Sequence, residues 1–124
     1  MPAPTRGSEE TLKADSTSIA AGDVDYFDWD LTAAFFGRFT IKVTFPGSGQ
    51  GDLELYAAYT EKGAPAAADY PARAESLPLG VIPATVSATK IASFELPQGL
   101  AKVRVNNKGS GTITADWTRG RKYT

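Results

Sequence analysis

The sequence predicts an all-β protein, an antiparallel β-sandwich of jelly-roll type. Three observations carry that expectation. The run "FFGRFTIKVTF" alternates strictly, with Phe35, Phe39, Ile41, Val43 and Phe45 on one parity and Arg38, Thr40, Lys42 and Thr44 on the other, the mark of a half-buried strand. Further alternating runs follow, separated by glycine and proline turns such as "PGSGQG" and "KGSG". Helical periodicity finds almost no support along the chain. Seven or eight short strands of this kind form a sandwich, and a closed barrel of the oligonucleotide-binding type is the structural alternative.

The elements follow in chain order. Met1–Glu10 is polar and holds two prolines, so it reads as a flexible arm. Residues 11–124 read as a single domain, since 124 residues suffice for one core. The segment Thr11–Ile19 gives a weak strand. "GDVDYFDWDL" is a strand with Phe27, Trp29 and Leu31 inward and Asp28 and Asp30 outward. After "FFGRFTIKVTF" and its turn comes "DLELYAAYT", with Leu53, Leu55, Ala57 and Tyr59 on one side and Glu54, Ala58 and Thr60 on the other.

Glu61 to about Lys90 breaks the pattern. It carries Pro65, Pro71, Pro78 and Pro83 and an alanine-rich patch, and reads as a long loop excursion with one helical turn after Pro65 and short extended pieces such as "ESLPLGVI". "IASFELP" is another weak strand. "LAKVRVNN" and "TITADWT", joined by "KGSG", predict a terminal hairpin with Ile113, Ala115 and Trp117 inward.

Composition narrows function by exclusion. The chain has no cysteine and no histidine, which removes disulfides, thiol nucleophiles, the commonest general base and the usual transition-metal ligands. Its formal net charge of −1 gives no overall positive field for nucleic acid. No run reaches the ~18 apolar residues of a membrane span. The N-terminus lacks the apolar core of a secretory signal, and the expected compartment is a cytoplasm.

The candidate sites are few. Asp28 and Asp30, about 7 Å apart on one strand face, fail the calcium-loop spacing because Phe27 replaces a ligand and Asp28 stands where glycine belongs. A solvated strand face is the expectation. The aromatics Tyr26, Tyr56, Tyr59, Tyr70, Phe35 and Phe36 cannot all face one core. They offer a platform for sugar rings, a hot-spot set for a protein interface, or packing at sheet ends. "TRGRKYT" gathers Arg119, Arg121 and Lys122 near Asp116 and reads as a solvated basic tail, with an acidic partner surface or phosphate as the alternative. No constellation of acid, base and nucleophile emerges. Catalytic, cofactor-binding and metal residues are therefore expected to be absent.

The strand order resembles the small β-sandwich structural proteins of tailed bacteriophages, most of all head decoration (cement) proteins. The resemblance rests on "STSIAAGDVDYFDWDL", "FGRFTIKVTF…GDLELYAAYT" and "FELPQGLAKVRVNNKGSGTITADW". It implies a non-enzymatic virion protein that binds the outer surface of the phage major capsid protein, as a homo-oligomer and typically a trimer, assembled in the host bacterial cytoplasm. It implies no cofactor, no nucleic acid and no membrane partner. A phage tail or fibre component and a carbohydrate-binding β-sandwich module are the alternatives.

Overall fold

The computed structural model describes residues 5–60, 79–84 and 88–124, and in them nine strands. They are β1 (Glu10–Lys13), β2 (Thr17–Ile19), β3 (Val24–Asp30), β4 (Phe36–Thr44), β5 (Leu53–Thr60), β6 (Gly80–Ile82), β7 (Thr89–Pro97), β8 (Leu100–Asn107) and β9 (Ile113–Tyr123). A five-stranded sheet has the order β1-β9-β4-β7, with β2 also on β9, and a four-stranded sheet has the order β3-β8-β5-β6. Every pairing is antiparallel.

The pairings nest. β2 lies on β9, β3 on β8, β4 on β7 and β5 on β6, as in one long ribbon folded back on itself. Two further pairings, β4 with β9 and β5 with β8, roll that ribbon into the two sheets of a jelly roll. The sandwich is therefore open-edged, and the closed-barrel alternative falls.

The inner faces meet in one core. Phe27, Trp29 and Leu31 of β3 and its following turn pack with Phe39, Ile41 and Val43 of β4, Leu53 and Leu55 of β5, Val103 and Val105 of β8, and Ile113 of β9. Each such side chain contributes roughly 1.5–3 kcal/mol on burial. Phe27 meets the Phe39 ring edge-on at 5.3 Å, a favoured arrangement for aromatic pairs. Trp29 reaches across to the five-stranded sheet because Gly37 and Gly120 leave room. A Cβ at either glycine would stand 2.7 Å from its ring.

One turn expectation needs correction. β8 and β9 are not a hairpin, since β8 pairs β3 and β5 while β9 pairs β1, β2 and β4. "KGSG" instead carries the chain from one sheet to the other, and "PGSGQG" does the same between β4 and β5. The physical reason is burial. Both strands of each pair have one apolar face, and facing each other across the core covers both. The two crossovers lie against each other, with Ser110 and Gly111 N–H groups donating to the Gly49 carbonyl at 2.8 and 2.9 Å. A Cβ on Gly51 would sit 2.3 Å from the Gly109 nitrogen, so this backbone approach requires glycine.

Asn107 organises the same end. It is 2 % exposed, and its amide donates to the carbonyls of Ile19 and Gly111 at 3.0 and 2.9 Å. Its Oδ1 accepts from the Gly109 N–H at 3.0 Å. One buried amide thus ties the β2–β3 and β8–β9 connections together.

Of the expected arm, Thr5–Gly7 runs beside the end of β9. Thr5 and Thr124 exchange backbone hydrogen bonds at 2.6 and 2.9 Å, and Gly7 N–H donates to the Lys122 carbonyl at 2.7 Å. Within the expected excursion, β6 and the start of β7 are extended. The expected helical turn after Pro65 lies outside the described residues.

Candidate functional site

The site begins with one irregularity in β9. Lys42 of β4 lies opposite Trp117, yet its neighbour Val43 lies opposite Ala115. Asp116 is therefore an extra residue, a β-bulge, and such insertions re-aim the side chains beyond them. Asp116 accepts a hydrogen bond from the Thr44 hydroxyl at 2.7 Å, which fixes the kink. Beyond it Thr118 turns into the core with no exposure, and Trp117 turns onto the outer face. The expectation that Trp117 packs inward with Ile113 and Ala115 is overturned by this single residue.

The bulge sets the whole distal half of β9. Trp117, Arg119, Arg121 and Tyr123 share the outer parity, paired across with Lys42, Thr40, Arg38 and Phe36 of β4. Those four pair in turn with Ile91, Ser93, Glu95 and Pro97 of β7. The expected basic tail is thus a central strand. Phe35 is corrected as well, because β4 starts at Phe36 and leaves Phe35 62 % exposed beside it. Gly37 takes the next inward position, where only a residue without a side chain fits beneath Trp29.

Three depressions share this face. One of about 100 Å³ is lined by Glu9, Arg38, Thr40, Arg119, Arg121 and Tyr123. Another of about 230 Å³ lies between Glu9, Trp117 and Arg119. The last, about 270 Å³, is bordered by Phe35, Phe36, Glu95 and Pro97. Phe36 and Tyr123 stack at 4.5 Å with their planes 12° apart. Trp117 stands six residues away along β9, about 20 Å by the rise of a strand. Aromatic rings therefore bracket a polar strip, in which the Thr40 and Ser93 hydroxyls bond at 2.8 Å.

The strip carries both charge signs. Arg119 binds Asp15 at 2.7 Å and Glu9 at 3.6 Å, and Arg121 reaches Glu9 at 3.8 Å. Arg38 stands 3.9 Å from Glu95, and Arg121 also donates to the Gly7 carbonyl at 3.1 Å. The arrangement can stack planar rings and offer donors and acceptors side by side.

The other sheet holds the remaining candidates. Asp28 and Asp30 point outward as expected, and Lys102 binds Asp28 at 2.8 Å. The Asp30 carboxyl is held below its ordinary pKa by the Thr32 hydroxyl and then by the Thr32 backbone N–H. Among the described residues no group of three or more Asp, Glu, His or Cys side chains could hold a metal ion. Tyr26 and Tyr56 face outward on β3 and β5 in one row with Arg104 between them, and Tyr56 is only 4 % exposed. Tyr59, 40 % exposed, has its hydroxyl pKa pushed up to about 12 by partial burial. The aromatics are therefore divided between two faces. Tyr70 lies outside the described residues.

Sequence reasoning missed Arg38 and Trp117 as partners of Arg119 and Arg121. A signal was present. Strict alternation from Ile113 and Ala115 would bury Arg119 and Arg121, and two unpaired core arginines are prohibitive. A register change between them was required.

No protein-family model matches the chain, and no curated protein matches it in sequence. Solved structures do match in fold. The K3 cleaved adhesin domain of Lys-gingipain from Porphyromonas gingivalis aligns at 15 % identity with a TM-score of 0.56, covering 77 % of this chain and 62 % of that one. Dimeric latent PorU from the same organism aligns at 9 % identity with a TM-score of 0.62, covering 100 % of this chain and 13 % of PorU. The C-terminal CBM6 of LamC from Zobellia galactanivorans aligns at 9 % identity and a TM-score of 0.49, covering 93 % of this chain and 100 % of that one. The chain thus spans under two thirds of the adhesin domain and a small part of PorU. The likeness to those two is one of fold, the β-sandwich.

Proposed function

We propose that the chain is a non-catalytic glycan-binding module whose ligand lies across the outer face of the five-stranded sheet. The observation that carries this is the bulge at Asp116, which spends a ladder position to put Trp117 on the surface. A partly exposed tryptophan at one end of the face and a Phe36–Tyr123 stack at the other suit the apolar faces of sugar rings. Arg38, Thr40, Arg121 and Glu95 between them suit the hydroxyls. An adhesin domain shares the fold, which is an analogy of frame and not of site.

Titration of the chain against a panel of soluble polysaccharides tests the proposal. Binding should weaken roughly tenfold with Trp117→Ala and with Tyr123→Ala, as for anchoring aromatics elsewhere, while the circular dichroism spectrum is kept. Affinity untouched by both substitutions would place the ligand elsewhere.

One observation favours a second proposal. Trp, Tyr and Arg are the residues that anchor protein interfaces, and this face gathers them. On that proposal the chain decorates a virion, docking the face on the phage major capsid protein as a homo-oligomer at the capsid surface. Co-sedimentation with capsids, lost with Trp117→Ala, would support it over the glycan module.

A further inference from the structure

We infer that the glycan is a carboxylated one, a polyuronate, and that Glu9 holds the place its carboxylate takes between Arg119 and Arg121. The inference rests on the glycan proposal and deepens it. The depression at the centre of the face is lined by three guanidinium groups, those of Arg38, Arg119 and Arg121, and by one carboxylate, that of Glu9. The lining itself sets three cations against one anion between the two aromatic stations, while Asp15 on Arg119 and Glu95 beside Arg38 supply counter-charges from outside it.

Glu9 is a loose occupant. It stands 3.6 Å from Arg119 and 3.8 Å from Arg121, with its side chain 53 % exposed, whereas charge-assisted hydrogen bonds close to about 2.7–2.9 Å. Arg119 makes such a bond, but to Asp15, at 2.7 Å. Exposed pairs like those of Glu9 contribute little to stability. The residue precedes β1, and the segment before it is held by the backbone bonds of Thr5 and Gly7 to the end of β9. Glu9 can therefore swing away without disturbing the sheet.

A ligand carboxylate entering there replaces one anion by another. The guanidinium groups keep a counter-charge throughout, so no unpaired charge is left against the protein surface. Arg38, whose Glu95 partner lies 3.9 Å away and borders a different depression, is available to join Arg121 in a two-sided grip on the carboxylate. A neutral sugar would have to desolvate the same three cations for ordinary hydroxyl bonds. The planar fork of arginine fits a carboxylate better than it fits a hydroxyl. Trp117 and the Phe36–Tyr123 pair would then hold the rings on either side, which suits the interior of a linear chain.

The test is a calorimetric titration of the full chain with two uronans of different backbone, polygalacturonate and alginate. Each is matched with its carboxyl-reduced form, and polyglutamate serves as a plain polyanion. At least one uronan should bind, on the order of tenfold more tightly than its reduced form. Arg121→Gln should weaken binding on the order of tenfold. Glu9→Gln should tighten it roughly two- to fivefold, with an unchanged circular dichroism spectrum, a gain that a merely structural Glu9 would not produce. Equal affinity for the reduced forms, or no gain with Glu9→Gln, would overturn the inference and leave the glycan proposal standing. Polyglutamate binding as tightly as a uronan would overturn it as simple charge attraction. Binding to none of these and to no neutral polysaccharide would end both.

Discussion

Both sheets carry aromatic and cationic residues on their outer faces, yet among the described residues they arrange them differently. On the four-stranded sheet each cation is matched from within the face. Lys102 binds Asp28 and lies 5.7 Å from the Tyr26 ring centre, Arg104 lies 4.8 Å from that of Tyr56, and Lys108 reaches Glu54 at 3.4 Å. Tyr56 and Ala58 are buried there. On the five-stranded sheet the aromatics stand at the ends, and the carboxylates near Arg119 and Arg121 come from outside the β4–β9–β7 strands, on Glu9 and Asp15. Register decides the difference. Tyrosine beside a cation in one row makes a closed surface, while rings separated by a row of cations make an open one.

Asn107, at the junction where the chain passes between sheets, is the sharpest way to break the fold that sets this contrast. Asn107→Ala strands buried carbonyls and the Gly109 N–H, for a cost of about 3 kcal/mol, read from the urea midpoint. A cost below about 1 kcal/mol would remove Asn107 from the account. Next comes the bulge. Deleting Asp116 makes Ala115 and Trp117 neighbours, so plain alternation keeps Thr118 inward and Trp117, Arg119 and Arg121 outward. The fold should lose only about 1.5 kcal/mol, the worth of the hydrogen bond from Thr44 to the Asp116 carboxylate. A collapse of the midpoint would show that the distal half of β9 depends on the bulge for more than its facing.

Thr118 sharpens the comparison from the other side. The bulge turns it into the core, where its buried hydroxyl has no hydrogen-bond partner among the described residues. Thr118→Val should stabilise the fold by about 1 kcal/mol, and a destabilised variant would mean that the hydroxyl is satisfied. The smallest effect belongs to Tyr59 on the other sheet. Its pKa is raised to about 12 by burial, so the fold disfavours the phenolate. Stability should be untouched below pH 10 and should decline between about pH 10 and 12. Tyr59→Phe should remove that tyrosine's share of the decline, and an unchanged profile would contradict the assigned burial.

Much of this was legible in the chain. Alternation in β3 and β4 named Phe27, Trp29, Leu31, Phe39, Ile41 and Val43 as buried, because each strand has a wet face and a dry one. The partners of those strands were less visible. Glycine turns after β4 and β8 look like hairpin turns, and only the need to cover two apolar faces sends the chain to the opposite sheet. The site was the least legible part, since it depends on one inserted residue. Arg119 and Arg121, on the parity of Ile113 and Ala115, are where the sequence records that insertion. Arg38 gives no local sign of joining them, because it comes from a strand more than 80 residues earlier.

The central claim is that the bulge-turned face of the five-stranded sheet is the binding surface. The most direct test is an NMR titration of the isotope-labelled chain with a short oligogalacturonate. The account predicts shifts confined to the Trp117 indole and to the backbone around Arg38, Thr40, Arg119, Arg121 and Tyr123. Shifts centred on Tyr26, Arg104 and Tyr56, or none at all with any sugar tried, would contradict it.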